Sequence, residues 1–145
     1  MTRRLSDRVA HYFTINELVC FTDLGYDNGM LKENRHPTRD DLDKVSKEVP
    51  IAVYHFSSHM LVLNSKGLET MGFTADSVAP EGGVIRRRPG SREPNGIVEE
   101  QAIFPVLQQL LASVQGDYML ELLDRSQMQY KQHGYTSMLE MAATP

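Results

Sequence analysis

The stretch Tyr54–Gly72, YHFSSHMLVLNSKGLETMG, decides how the rest of this chain is read. It continues an apolar run, Ile51-Ala52-Val53-Tyr54-His55-Phe56, whose β-branched and aromatic residues and length suit a strand. His59 follows at the strand's end, on the connection to the next element. Asn64 or Ser65 then offers a helix start, because a short side-chain oxygen can accept from the unpaired N–H groups of a first helical turn. Leu68 and Met71 give that helix an apolar face, and Gly72 suits the left-handed residue just past its end. The spacing predicts a strand over 51–56, a helix over 65–71, and His59 on the connection between them.

Upstream, Thr38 caps a short acidic helix, with Asp40, Asp41 and Asp43 near its positive end, and Pro50 closes the segment. Asp23 to Pro37 reads as loop, with Gly25, Asp27-Asn28-Gly29 and Asn34 as turn residues. Leu5, Val9, Tyr12 and Phe13 recur at helical spacing. Thr14 and Glu17 match a capping box, after which Ile15, Leu18, Val19 and Phe21 would pack one face of a second short helix. The same run also fits a strand, and periodicity leaves both readings open.

Downstream, residues 74–96 are rich in Gly, Pro, Asp, Ser and Arg. Val84-Ile85-Arg86 and Gly96-Ile97-Val98 read as two short strands joined by a turn at Pro89-Gly90. Ala102, Ile103, Val106, Leu107, Leu110 and Leu111 line a helix starting near Glu99, with Pro105 distorting its first turns. Gly116-Asp117 restarts the chain. Asp117 caps a helix through Tyr130, with Met119, Leu122, Leu123 and Tyr130 inward. Gly134 stops it, and Tyr135–Met141 reads as a strand.

Bulk properties are those of a globular chain of 145 residues, 41% hydrophobic and 23% charged, enough for one domain with an ordinary core. A net charge of −4 supplies no reason to expect a nucleic-acid partner. The single Cys20 excludes an intrachain disulfide and fits a reducing, cytoplasmic setting. It reads as a small core residue rather than a nucleophile. No apolar run approaches the roughly 18 residues of a membrane span. The start, MTRRLSDRVAHYF, lacks the continuous apolar core of a signal peptide.

Taken in order, several motifs resemble a known family. They are Gly25-Tyr26-Asp27, Arg35-His36-Pro37-Thr38-Arg39, Asp41-Leu42-Asp43, His59 after Ser57-Ser58, and Asn64-Ser65. Gly82-Gly83-Val84-Ile85-Arg86, Pro94-Asn95-Gly96-Ile97-Val98-Glu99-Glu100 and Gly134-Tyr135-Thr136-Ser137 follow. Their order and spacing resemble the middle of metal-dependent amidohydrolases of the third amidohydrolase type, the branch that includes N-substituted formamide deformylases. One departure is Ser58, where the family carries Gly in a Ser-Gly-His run.

The resemblance implies an α/β fold. Residues 1–23 would be an unmatched N-terminal segment, 24–112 an inserted α/β lobe, and 113–145 the helix and strand of a partial TIM-like barrel. Such a barrel needs eight βα units, so this length cannot close one. Some apolar surface is then expected to stay uncovered, with self-association or fraying near the C-terminus as the result. The family's metal ligands, an HxH pair before this region and a Lys, two His and an Asp after it, have no counterpart here. The resemblance therefore implies a divalent, zinc-like metal for the intact enzyme, and neither a catalytic residue nor a metal ligand in this chain.

Substrate-side candidates are His59, Asn64 and Glu100. By family position His59 lies at a strand end near the active-site mouth, where it could donate to a substrate carbonyl or relay a proton, or simply order the loop. Asn64 fits a helix cap equally, and Glu100 a first-turn carboxylate. His55 and His59 are spaced i, i+4. On a helix that would put both on one face, as in a zinc site, with His36 and Asp27 as further ligand candidates by type; on a strand the spacing separates them by about 13 Å, and His55 then faces the core or a neighbouring strand. Arg86, Arg87, Arg88 and Arg92 form a basic cluster, either an anion site or a solvated loop among Glu81, Glu93, Glu99 and Glu100. The leading reading is a fragment of a hydrolase that cleaves non-peptide C–N bonds of a small-molecule amide or formamide, inactive alone. The alternatives are a non-catalytic binding or interaction module, or a truncated gene product.

Overall fold

The computed structural model describes residues 13–15, 18–112 and 116–139. By contact they fall into two units, Met1–Ser113 and Val114–Pro145. In the first, β1 (Phe13–Ile15), β2 (Leu18–Tyr26), β3 (Ile51–His55), β4 (Met60–Leu63), β5 (Gly83–Arg87) and β6 (Pro94–Glu100) form one sheet, in the order β1-β2-β3-β4-β6-β5. β2 and β3 run parallel, with Val19 opposite Ile51, and every other pair is antiparallel. Helices α1 (Arg39–Leu42), α2 (Ser65–Thr70) and α3 (Phe104–Ala112) and two 3-10 turns, Asn28–Met30 and Gln101–Ile103, complete this unit.

Strand periodicity sorts the core into two layers. Ala52, Leu61, Leu63, Ile85 and Val98 pack with Leu68 of α2 and with Ala102, Ile103 and Val106. Their strand neighbours Ile51, Val53, Val62 and Ile97 pack with Tyr26, Leu31 and Leu42 of α1. Successive side chains on a strand point to opposite faces, so a strand covered on both sides reads as an unbroken apolar run. That is the physical content of Met60-Leu61-Val62-Leu63. Each large apolar side chain so buried contributes about 1.5–3 kcal/mol.

The expectations for 51–56 and 65–71 are met by β3 and α2, but a strand stands between them. His59 therefore lies in the turn of a β3–β4 hairpin, not on a strand-to-helix connection. α2 ends as its glycine predicts. Gly72 is left-handed at φ 70°, Gly72 N–H donates to the Glu69 carbonyl, and Phe73 N–H donates to the Leu68 carbonyl. The arginine-rich segment forms the expected antiparallel pair β5–β6. Residues 13–15 and 18–26 are strands, so a helix capped by Thr14 is not formed. The strand reading wins because β3 supplies a hydrogen-bonding edge for β2, which a sequence window does not show. Tyr26, expected in a loop, is the last residue of β2. The expected helix over Leu5–Phe13 lies outside the described residues, apart from Phe13 in β1.

Two glycines hold the sheet ends together. A side chain on Gly96, at φ 106°, would meet the Leu63 carbonyl oxygen at 2.5 Å and the Arg39 nitrogen at 2.7 Å. One on Gly25, at φ 75°, would meet Phe56 Cα at 2.5 Å. Pro105 is tolerated in the first turn of α3 because its missing N–H would have no helical partner there.

The second unit holds helix α4 (Gly116–Gln132). Its end is closed by Gly134, left-handed at φ 83°, with Tyr135 N–H donating to the Tyr130 carbonyl and the two tyrosine rings in an edge-to-face contact at 5.6 Å. Two expectations fail here. Leu122, Leu123 and Tyr130 are exposed rather than inward. Residues 135–139 form no strand, and 140 and 141 lie outside the described residues. A strand needs a hydrogen-bonding neighbour, and the described residues of this unit contain none. Among the described residues no barrel strand is seen; the fold they show is a mixed α/β sheet with helices.

Candidate functional site

β4 is bracketed by two of the three predicted substrate-side residues, Asn64 and His59. Asn64 is fully buried. Its Oδ1 accepts from Ile51 N–H at 2.9 Å and Gly67 N–H at 2.7 Å, and its Nδ2 donates to the carbonyls of Ser46 at 2.8 Å and Val49 at 2.9 Å. An amide side chain has two donors and two acceptor sites, and all four are engaged. Asn64 therefore holds the 46–49 turn, the start of β3 and the first turn of α2 on one node. No polar atom of it remains for a ligand.

The other end of β4 is open. Met60 lies opposite Glu99 in the β4–β6 register, which carries His59 opposite Glu100. Glu100 N–H donates to the His59 carbonyl at 3.2 Å, and the His59 Nδ1 to Glu100 Oε2 distance is 3.0 Å. The sheet thus joins two residues far apart in the chain. Their side chains are 66% and 51% exposed, so the pair faces solvent at the end of the sheet.

Backbone strain borders this pair. Three non-glycine residues have positive φ among the described residues, and two of them are Ser58 (φ 65°) and Glu100 (φ 52°). Ser58 closes a turn whose N–H donates to the His55 carbonyl at 2.9 Å. A left-handed residue there favours glycine, which gives the Ser-Gly-His pattern a physical meaning. Tyr54 Oη donates to the Ser58 carbonyl at 2.9 Å, and Ser57 Oγ accepts from His59 N–H at 3.3 Å, so the turn is tied on both sides.

A second cluster lies on the opposite parity of β3. His55 is buried against Tyr26 and His36, with ring centroids 4.8 Å and 5.3 Å away. Its Nδ1 accepts from Ser57 N–H at 3.2 Å and lies 2.7 Å from Ser57 Oγ. Its Nε2 lies 3.1 Å from Asn28 Oδ1. An amide oxygen only accepts, so the ring carries its proton on Nε2. The Tyr26 hydroxyl meets His36 Nδ1 at 3.0 Å. Burial, reinforced by His36 and opposed by Asp27, holds the His55 pKa below its ordinary value. Burial and then Arg86 lower that of His36, with Glu99 opposing. Burial raises the Tyr26 hydroxyl well above its ordinary range. Sequence reading named His55 and His36 only as ligand candidates by type and missed their stack with Tyr26, because the three residues come from separate strands and a loop.

These histidines do not fit a metal ion. Both ring nitrogens of His55 and Nδ1 of His36 already have protein partners. Among the described residues no three His, Cys, Asp or Glu side chains come together as a ligand set. The basic cluster is likewise engaged. Arg86 pairs with Glu99, Arg88 with Asp40 at 2.6 Å and Arg92 with Asp76 at 3.2 Å, while Arg87 donates to the Thr74 carbonyl at 2.9 Å. The solvated-loop reading thus describes it better than an anion site. Among the described residues, no helix is long and apolar enough to cross a membrane.

Comparison with known proteins agrees with the motif order. The Amidohydrolase family matches residues 23–145, and the chain belongs to that family. A segment of 78 residues is 26% identical to YtcJ of Bacillus subtilis (strain 168), a protein described by inference as an amidohydrolase. That segment is 54% of this chain and 15% of YtcJ, so the chain spans far less than two thirds of this relative. No solved structure matches the chain.

Proposed function

We propose that this chain is the substrate-side lobe of an amidohydrolase that cleaves C–N bonds other than peptide bonds, and that the His59–Glu100 corner is where it meets the amide. The observation that carries this reading is the corner itself. Two polar side chains singled out by family position meet at 3.0 Å, face solvent, and are bordered by strained backbone at Ser58 and at Glu100. Strain of this kind costs about 1–3 kcal/mol per residue, and it concentrates at functional sites. Asn64 has no place in this role, because its amide is saturated inside the core.

A divalent metal would supply water activation in the intact enzyme. The residues described here do not form its ligand set, so the 145-residue chain should bind amide without turning it over. The test is an amide 1H–15N spectrum of the purified chain titrated with a small N-alkyl formamide, beside a turnover assay with added zinc. Shifts confined to residues 57–60 and 99–101, without turnover, support the reading. Shifts elsewhere, no binding, or zinc-dependent turnover would overturn it.

We propose as a second reading a module that self-associates. It rests on Leu120, Leu123, Met128 and Leu139 of the second unit, all exposed. Light scattering across a concentration series tests it: a mass that stays monomeric at every concentration rules it out.

A further inference from the structure

We propose that His59 reads the nitrogen side of the scissile amide, with Nε2 accepting the substrate N–H, and that Glu100 is the positioning residue that fixes this polarity. The inference rests on the corner being the substrate contact. It adds the class of amide recognised: one that retains an N–H, as opposed to a fully substituted nitrogen. Family position offers a His that donates to the carbonyl or relays a proton; acceptance of the substrate N–H is a further role.

The argument is one of proton placement. An ionised carboxylate has acceptor sites only, so the 3.0 Å contact between Glu100 Oε2 and His59 Nδ1 requires the proton on Nδ1. A neutral imidazole with Nδ1–H presents a lone pair at Nε2. Nε2 has no hydrogen-bond partner among the described residues, and the side chain is 66% exposed. The backbone that carries the ring is tied on both sides. Glu100 N–H holds the His59 carbonyl and Ser57 Oγ accepts from the His59 N–H, so the two strands stay in register at this end and the Glu100 carboxylate stays within reach of the ring. An outward acceptor of this kind complements a secondary or primary amide through its N–H. It offers nothing polar to a tertiary amide. Because Nε2 carries a lone pair and no proton, its part is recognition of the N–H; the proton that the departing nitrogen gains on C–N cleavage comes from the attacking water.

The experiment uses the whole 15N-labelled chain. A long-range 1H–15N spectrum of the imidazole reports the tautomer directly. Titrations with N-benzylacetamide and with N-benzyl-N-methylacetamide compare an amide that has the N–H with one that lacks it. We expect Nδ1–H to predominate at His59. The secondary amide should shift Nε2 and bind about threefold to tenfold more tightly than the tertiary one, the range of one net hydrogen bond. Glu100→Ala, at a half-exposed side chain, should keep the backbone amide spectrum apart from its neighbours. It should move the proton toward Nε2 and erase the preference between the two amides. A predominant Nε2–H in the unaltered protein overturns the inference. So does equal binding of both amides at residues 57–60 and 99–101, a result that leaves the substrate-lobe reading intact. Absence of any shift at that corner with either amide overturns both.

Discussion

The two ends of β4 show how one strand can carry opposite kinds of polar residue. At its C-terminal end Asn64 has every hydrogen-bonding position filled by this chain and no exposure to water. At its N-terminal end the His59–Glu100 pair makes one side-chain contact and leaves the rest of both groups in solvent. The first is architecture, because removing it strands buried backbone groups. The second adds little to stability, because a solvent-exposed side-chain hydrogen bond replaces bonds that both groups make equally well to water. A polar group that stabilises nothing yet sits on strained backbone is the better candidate for recognition.

The contrast is broken most decisively by substitution at Asn64. Asn64→Ala leaves two buried N–H groups and two carbonyls without their partner, and a loss of about 3 kcal/mol or more in unfolding free energy is expected by urea titration. A loss below about 1 kcal/mol would mean that water replaces the node and that the two ends of β4 are alike.

Next in size is the pH dependence of the turn that leads to His59. His55 and His36 have lowered pKa values in the folded chain, against an ordinary value of 6.5. Below pH 6.5 the unfolded chain therefore binds protons that the folded chain refuses. Stability should be fully present above that pH and fall progressively as pH drops through it toward the folded values. Protonated Nδ1 of His55 would also face the Ser57 N–H, donor against donor, so the hairpin turn should loosen with the same pH profile. Thermal unfolding between pH 7.5 and 5 checks this, and His55→Gln should flatten the slope. A Tm that does not change over that interval would remove the cluster from the account.

A smaller change of opposite sign belongs to Ser58. Glycine adopts φ 65° without strain, so Ser58→Gly should stabilise the fold by about 0.5–1 kcal/mol after its greater unfolded-state entropy is offset. Destabilisation would show that the serine side chain makes a contact that outweighs its backbone cost. Smallest of all, His59→Ala should alter stability by less than about 0.5 kcal/mol while abolishing amide-induced shifts at residues 57–60 and 99–101. A large stability loss there would place His59 with Asn64 as a structural residue.

Much of this could be read from residues in a row. The capped helix α2 with its Gly72 stop and the strand at 51–55 depend on local geometry that the residues themselves impose. Thr38 with Asp41 likewise closes a capping box at the start of α1. Other features were not legible. Met60-Leu61-Val62-Leu63 has no alternation, because both faces of β4 are covered, and an unbroken apolar run of that length does not declare itself a strand. Tyr135–Leu139 carries strand-like residues yet forms no strand, since a strand is defined by a neighbour and not by its own composition. The Tyr26–His36–His55 stack brings together residues from a strand end, a loop and another strand, and no spacing rule connects them.

The sequence by itself determined the family, the elements closed by their own caps and turn residues, and the short set of polar positions worth examining. These follow from interactions within a few residues, or from motif order along the chain. Only the tertiary structure decided which of those positions are free to act. It sealed Asn64 inside the core by surrounding it with backbone from three segments. It left His59 in solvent and, through the β4–β6 register, brought Glu100 to its ring. Burial and long-range register depend on what packs opposite, and one strand's sequence does not contain its neighbour.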